Sequence, residues 1–293
     1  MKIIDSQVHI LDRDHPGRPW DSNLGSALGS GIAAALKYSS TGAAITTDAR
    51  MLRAMDQVGV DAALLVSTSH YGWDNSYSLE AAQKAPNRFA VIGRIDAACP
   101  DVEERVAIWE SNPVAVGLRI FILSDVHRDQ FMGGHFDRLL RAAQNQSIPM
   151  TVYPPGYLST IAIAAERFPK LQWVVDHVGI AQPPVLMPDV PRFKRLPELL
   201  ALARFPNVVV KLSAVPALSA ERFPFSDLWP FIHSIVDAYG IERVMWGSDW
   251  TRVATLLSYE EGLRYVRDSS ELSLDEKTQL LGGTLSRVFG WHP

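Results

Sequence analysis

Val244-Met245-Trp246-Gly247-Ser248-Asp249-Trp250 is a short apolar run that ends in polar residues. A turn signal, Tyr239-Gly240-Ile241-Glu242, comes just before it, and a helical pattern over 231–239 comes before that. An apolar run of this length between turn signals reads as a strand buried on both faces. The same unit recurs along the chain. Strand-like runs fall at 3–10, 62–67, 89–95, 115–122, 149–153, 173–177, 208–212 and 244–247. Several are preceded by a Pro or Gly turn: Val58-Gly59-Val60-Asp61, Ala85-Pro86-Asn87-Arg88, Phe168-Pro169-Lys170 and Phe205-Pro206-Asn207. Between them lie helical patterns, such as 47–57 with Met51, Leu52 and Met55, and 136–144 with Leu139, Leu140 and Ala143. Further helical stretches fall at 161–168, 196–204 and 231–239, with a closing helix expected over 280–291. Strands that alternate with helices argue for parallel β/α units, and a count of eight predicts a closed (β/α)8 TIM barrel. An open, doubly wound α/β sheet is the alternative.

The bulk properties agree with this. At 293 residues the length alone suggests two domains. Eight units fill nearly all of it, so one domain over 1–293 is expected. Two stretches exceed the repeat and predict long loops after strands 1 and 6. Residues 15–40 hold Pro16, Pro19 and Trp20, and residues 182–197 hold Pro183, Pro184, Pro188, Pro191 and Pro197. Loops of this kind often wall a site. The net charge is −4, from 28 Lys+Arg and 32 Asp+Glu, with no basic stripe, so nucleic-acid binding is not expected. A single cysteine, Cys99, excludes an internal disulfide and a Cys-based zinc cluster. No apolar stretch approaches the roughly 18 residues of a membrane span, and Asp5 interrupts the N-terminus too early for a signal sequence. A soluble, cytoplasmic protein is expected. A homo-oligomer is left open by the Pro and Trp residues of the long loops.

A barrel carries its chemistry at the C-terminal ends of its strands. Strand 1 ends Asp5-Ser6-Gln7-Val8-His9, and the strand period puts Asp5, Gln7 and His9 on one face. Arg119 stands among apolar residues in strand 4, and strand 5 ends at Tyr153. Strand 6 ends Asp176-His177-Val178-Gly179, strand 7 carries Lys211 and Ser213, and strand 8 leads to Asp249. Each has a structural reading: Asp249 as a helix cap, Arg119 as the partner of a buried carboxylate, Tyr153 as a donor to backbone, Asp176 as a hydrogen-bond acceptor on the barrel floor. Six strands delivering polar groups to one mouth are hard to explain as core, because burying such groups without function is costly.

At these residues the sequence resembles the amidohydrolase superfamily, in its amidohydrolase 2 branch. The resemblance is closest to a group that includes 2-pyrone-4,6-dicarboxylate lactonase and sugar-acid lactonases. The motifs that carry it are Ile4-Asp5-Ser6-Gln7-Val8-His9, Val175-Asp176-His177-Val178-Gly179 and Met245-Trp246-Gly247-Ser248-Asp249-Trp250. Where the family's first motif is His-x-His, this chain has Gln7-x-His9, and Thr284 stands where the family more usually has Asn. An amide oxygen is a weaker ligand than imidazole. The resemblance therefore implies a metal-free site, with one zinc or manganese at His9, His177 and Asp249 as the alternative.

The implied activity is hydrolysis of a lactone or other activated ester of a small anionic substrate, in a catabolic setting. Asp249 would act as general base, and His9, His177 and Gln7 would donate to the developing oxyanion. Arg119, supported by Tyr153, would hold a substrate carboxylate, and Trp20, Trp73 and Trp250 would line the pocket. Two other readings stand beside it. One is metal-dependent decarboxylation of an aromatic or muconate acid. The other is binding of a small carboxylate without turnover.

Overall fold

The computed structural model describes residues 1–21, 45–181 and 192–293. Residues 22–44 and 182–191, which take in much of the two expected loops, lie outside the described residues. Eight strands form one sheet in the order of the sequence: β1 (Ile4–Val8), β2 (Ala62–Val66), β3 (Phe89–Gly93), β4 (Ala115–Phe121), β5 (Met150–Tyr153), β6 (Trp173–Val175), β7 (Val208–Ser213) and β8 (Val244–Gly247). Neighbouring strands of this sheet pair in parallel, β1 with β2 through to β7 with β8. The first and last strands meet where the Asp249 amide donates to the Gln7 carbonyl at 2.9 Å, and the Ser248 amide donates to the Asp5 carboxylate at 2.9 Å. The sheet thus curls into a nearly closed barrel with helices around it, as eight buried parallel strands require.

Most buried apolar residues fall in two layers, with a small third cluster of Ala214, Val253 and Leu257. Ile4, Leu64, Ile92, Val174, Val209 and Met245 form the inner cluster with Leu285, Val288 and Phe289 of the last helix. That helix spans Thr284–Phe289, shorter than expected, because the chain before it takes a wide turn over Gln279–Gly283. A larger cluster packs the outer strand faces against the helices. Both layers are almost fully shielded from water, which explains why the strands read as continuous apolar runs.

Of the expected shared face, Gln7 and His9 meet at 3.5 Å while Asp5 leaves it. The register of β1 against β2 shifts between Asp5 and Val8. Asp5 accepts from the Tyr259 hydroxyl, on the helix Tyr259–Arg267, at 2.9 Å, while Gln7 meets Lys211 of β7. An irregularity of this kind breaks the two-residue alternation that the strand period assumes.

Candidate active site

The strand ends are strained where polar residues leave them. His177 (φ 54°) and Val178 (φ 51°) follow β6, Ala214 (φ 55°) follows β7, and Asp249 (φ 48°) follows β8. Left-handed backbone at such residues costs about 1–3 kcal/mol each and persists where the surroundings over-determine it. Here it turns the chain sharply at the barrel mouth, so that β6 stops at Val175, two residues before its expected end.

Asp249 is completely buried, and neither carboxylate oxygen has a hydrogen-bond partner among the described residues. Oδ1 lies 3.3 Å from His9 Nε2, and Oδ2 lies 3.9 Å from His177 Nδ1. Burial works against the charge, but a proton on the facing His9 nitrogen, with His177 and Arg252, outweighs it and holds the carboxyl at about 2. Asp249 is therefore ionised across the physiological range.

The ring states follow from their partners. His9 Nδ1 is 2.7 Å from the Val66 carbonyl oxygen, which can only accept, so Nδ1 carries a proton. His177 Nε2 is 3.4 Å from Arg119 Nη2, which can only donate, so Nε2 is the acceptor. The His177 proton then sits on Nδ1, 2.8 Å from Ser213 Oγ. Burial lowers the His177 pKa to about 4, against the pull of Asp249 and Asp176, so the ring is neutral at pH 7.

Beside this trio lies a buried charge network. Asp176 pairs with Arg119 Nε at 2.8 Å and with Lys211 Nζ at 3.0 Å. Burial opposes its charge, but Lys211, Arg119 and His177 keep it ionised, below the usual carboxylate range. Lys211 also donates to Gln7 Oε1 at 2.9 Å. That bond fixes the amide, so Gln7 turns its NH2 toward His9 Nε2 at 3.5 Å. Gln7 thus stands in the site as a donor, and its oxygen is already engaged.

The amidohydrolase family profile matches residues 4–291, almost the whole chain. The chain belongs to this family. It is 28% identical over 200 residues to an L-fucono-1,5-lactonase of Burkholderia ambifaria, covering 66% of this chain and 65% of that protein. It is 25% identical over 251 residues to a 4-sulfomuconolactone hydrolase of Hydrogenophaga intermedia, covering 82% of this chain and 78% of that protein. Among solved structures, a zinc-bound amidohydrolase from Burkholderia multivorans superposes with a TM-score of 0.79 at 24% identity, over the full length of both chains. A 5-carboxyvanillate decarboxylase from Sphingomonas paucimobilis superposes at 0.71 with 17% identity, over 99% of each chain. At these identities the two structures share the fold.

The zinc in that relative raises the question of fit in this amidohydrolase. His9 Nε2 and Asp249 Oδ1 are both electron-pair donors, and at 3.3 Å they face each other. Two neighbouring ligands of a tetrahedral ion with bonds of about 2.0–2.1 Å stand about 3.3 Å apart. The pair therefore fits one divalent cation, and the unbonded Asp249 oxygens supply the negative charge. The set stops short of a closed site. Among the described residues no group of three His, Cys, Asp or Glu is placed to hold a metal. His177, expected as a third ligand, has its nitrogens beside Ser213 and Arg119 instead.

Other expected site residues divide. The Tyr153 ring stands edge-on to His177 with centroids 4.9 Å apart, inside the cluster. Trp20 donates to the Asp12 carbonyl and meets His70 edge-on, and Trp250 stacks on Tyr259 at 5.1 Å, so their recorded contacts lie outside the His9–Asp249–His177 group. Arg119 serves the buried carboxylate of Asp176 and also lines a cavity of about 140 Å³ with Trp73, Arg94, Phe121 and His127. Arg94 escaped the sequence reading, since nothing in Gly93-Arg94-Ile95 marks it from a surface arginine. No helix of the described residues is long and apolar enough to cross a membrane.

Proposed function

We propose that this amidohydrolase hydrolyses a lactone, or another activated ester, of a small carboxylated substrate, with Asp249 as general base. The observation that carries the reading is the ionised, buried carboxylate whose oxygens have no hydrogen-bond partner among the described residues. A purely structural aspartate would have its oxygens satisfied. The names of the two relatives, both lactone hydrolases, support the same substrate class.

In this scheme Asp249 accepts a proton from water as the water oxygen bonds to the lactone carbonyl carbon. The carbonyl oxygen gains charge, and the Gln7 NH2 beside His9 and the Arg119 guanidinium beside His177 would favour it. Asp249 then returns the proton to the ring oxygen as the carbon–oxygen bond breaks, leaving a hydroxy acid. A carboxylate held at about 2 is a weak base, so the reaction needs a good leaving group, as an enol-lactone or strained lactone provides. When bound at His9 and Asp249, a divalent ion would supply Lewis-acid polarisation. The same reading takes the cytoplasm as the compartment.

Decarboxylation of an aromatic or muconate acid is the second reading. The fold shared with the decarboxylase and the Arg119 guanidinium at the cavity favour it. A panel of aldonolactones, muconolactones and aromatic acids, assayed with and without zinc or manganese, separates the two. Acid release from a lactone without carbon dioxide supports hydrolysis. Carbon dioxide release with no lactone turned over overturns it.

A further inference from the structure

The cavity beside Arg119 contains a second guanidinium that the reaction scheme does not use. Arg94 leaves the end of β3 and donates through Nη1 to the Gly72 carbonyl at 2.9 Å. Its Nε is buried and has no hydrogen-bond partner among the described residues. Its charge lies 4.4 Å from the Trp73 ring centre and 4.9 Å from that of Phe121, and Arg119 lies 4.7 Å from the same Phe121 ring. Burial and the neighbouring Arg119 pull the Arg94 pKa down to about 10, so the group is still cationic at pH 7. Asp21 and Asp96 act on it from a distance, and neither forms an ion pair with it among the described residues. The Asp96 carboxylate is engaged by the Ala98 amide at 2.9 Å. Arg119 differs in having Asp176 to neutralise it.

Two guanidiniums lie around one aromatic ring, one of them without an ion-pair partner among the described residues, beside a flat apolar wall in a cavity that Asp96 also lines. We infer that this cavity receives a second acidic substituent of the substrate, a carboxylate or sulfonate, and that Arg94 is the residue that selects diacids over monoacids. The inference rests on the hydrolase reading for its place in the reaction, but the binding stands on Arg94, Arg119, Trp73 and Phe121 alone. The Arg94 Nε–H and the free edge of its fork supply the donors, and a planar ring stacks against the aromatic wall.

The test uses two flat, unreactive acids, isophthalate and benzoate, titrated calorimetrically into the full-length protein. Wild type should bind isophthalate at least about tenfold more tightly than benzoate. Arg94→Gln should bring that ratio close to one, and Arg94→Lys should restore part of it, which also shows that the pocket is folded. A ratio near one in wild type, or a ratio that Arg94→Gln leaves unchanged, overturns the inference. The outcome is separable from the reaction. Diacid preference without hydrolysis of any lactone defeats only the hydrolase reading. Lactone hydrolysis with the ratio intact in Arg94→Gln defeats only the Arg94 site.

Discussion

His9 and Asp249 face each other across 3.3 Å while the other His9 nitrogen is committed to the Val66 carbonyl at 2.7 Å. Two acceptors at that distance repel unless a proton or a cation stands between them. The geometry predicts that zinc binds with one-to-one stoichiometry and raises the melting temperature, as any ligand of the native state does. With two protein donors in place of three or more, dialysis against a chelator should remove it. His9→Ala should abolish the shift. Zinc stabilisation that survives this substitution would move the cation site elsewhere.

Lys211 ties Asp176 to Gln7, and both bonds lie in the fully buried barrel interior. Lys211→Met removes one counter-charge from Asp176 and the donor that fixes the Gln7 amide. Breaking a buried pair in this way costs about 3–5 kcal/mol, and Arg119, still on Asp176, should keep the loss near the lower end. Denaturant unfolding measures it. Turnover should fall with it, because the Gln7 NH2 is no longer held toward His9. A variant as stable and active as wild type contradicts the network's role.

Asp249 at about 2 and His177 at about 4 set the acid limb of activity. Both groups work in the deprotonated form, so activity is lost only as protons add to them. The profile of kcat/KM against pH should stay level from neutrality down to about pH 5 and fall below it. A midpoint near 6.5, the ordinary histidine value, contradicts the assigned states.

Asp5 titrates the other way. Burial raises its carboxyl to about 6, although the Ser248, Gln7 and Tyr259 hydrogen bonds oppose the shift. The folded state thus holds this proton more tightly than the unfolded chain does. The group's stabilising contribution is complete below the unfolded value near 3.8 and is lost as pH rises through about 6. Stability should therefore rise in wild type relative to Asp5→Asn as pH falls from 7 to 4. Parallel stability curves for the two proteins contradict this.

The barrel was legible because strands buried on both faces read as unbroken Val and Ile runs, and the eight observed strands sit inside or within a residue of the expected ones. What escaped was local. β6 stops at Val175 because His177 takes a left-handed conformation, and Asp5 leaves the Gln7 face because β1 shifts register. Neither event has a mark in residue type. Lys211 inside Val208-Val209-Val210-Lys211-Leu212 was a visible anomaly, but its partners, 204 residues away at Gln7 and in β6 at Asp176, come only from closing the ring. Arg94 gave no signal at all, since the Gly72 carbonyl and the Trp73 and Phe121 rings gather around it only in the fold.

Asp249→Asn tests the account most directly. The substitution keeps the shape and removes the charge and the base. On any lactone that wild type hydrolyses, kcat should fall by about a hundredfold to ten-thousandfold, with the fold retained. Turnover within about tenfold of wild type would take the base role away from Asp249.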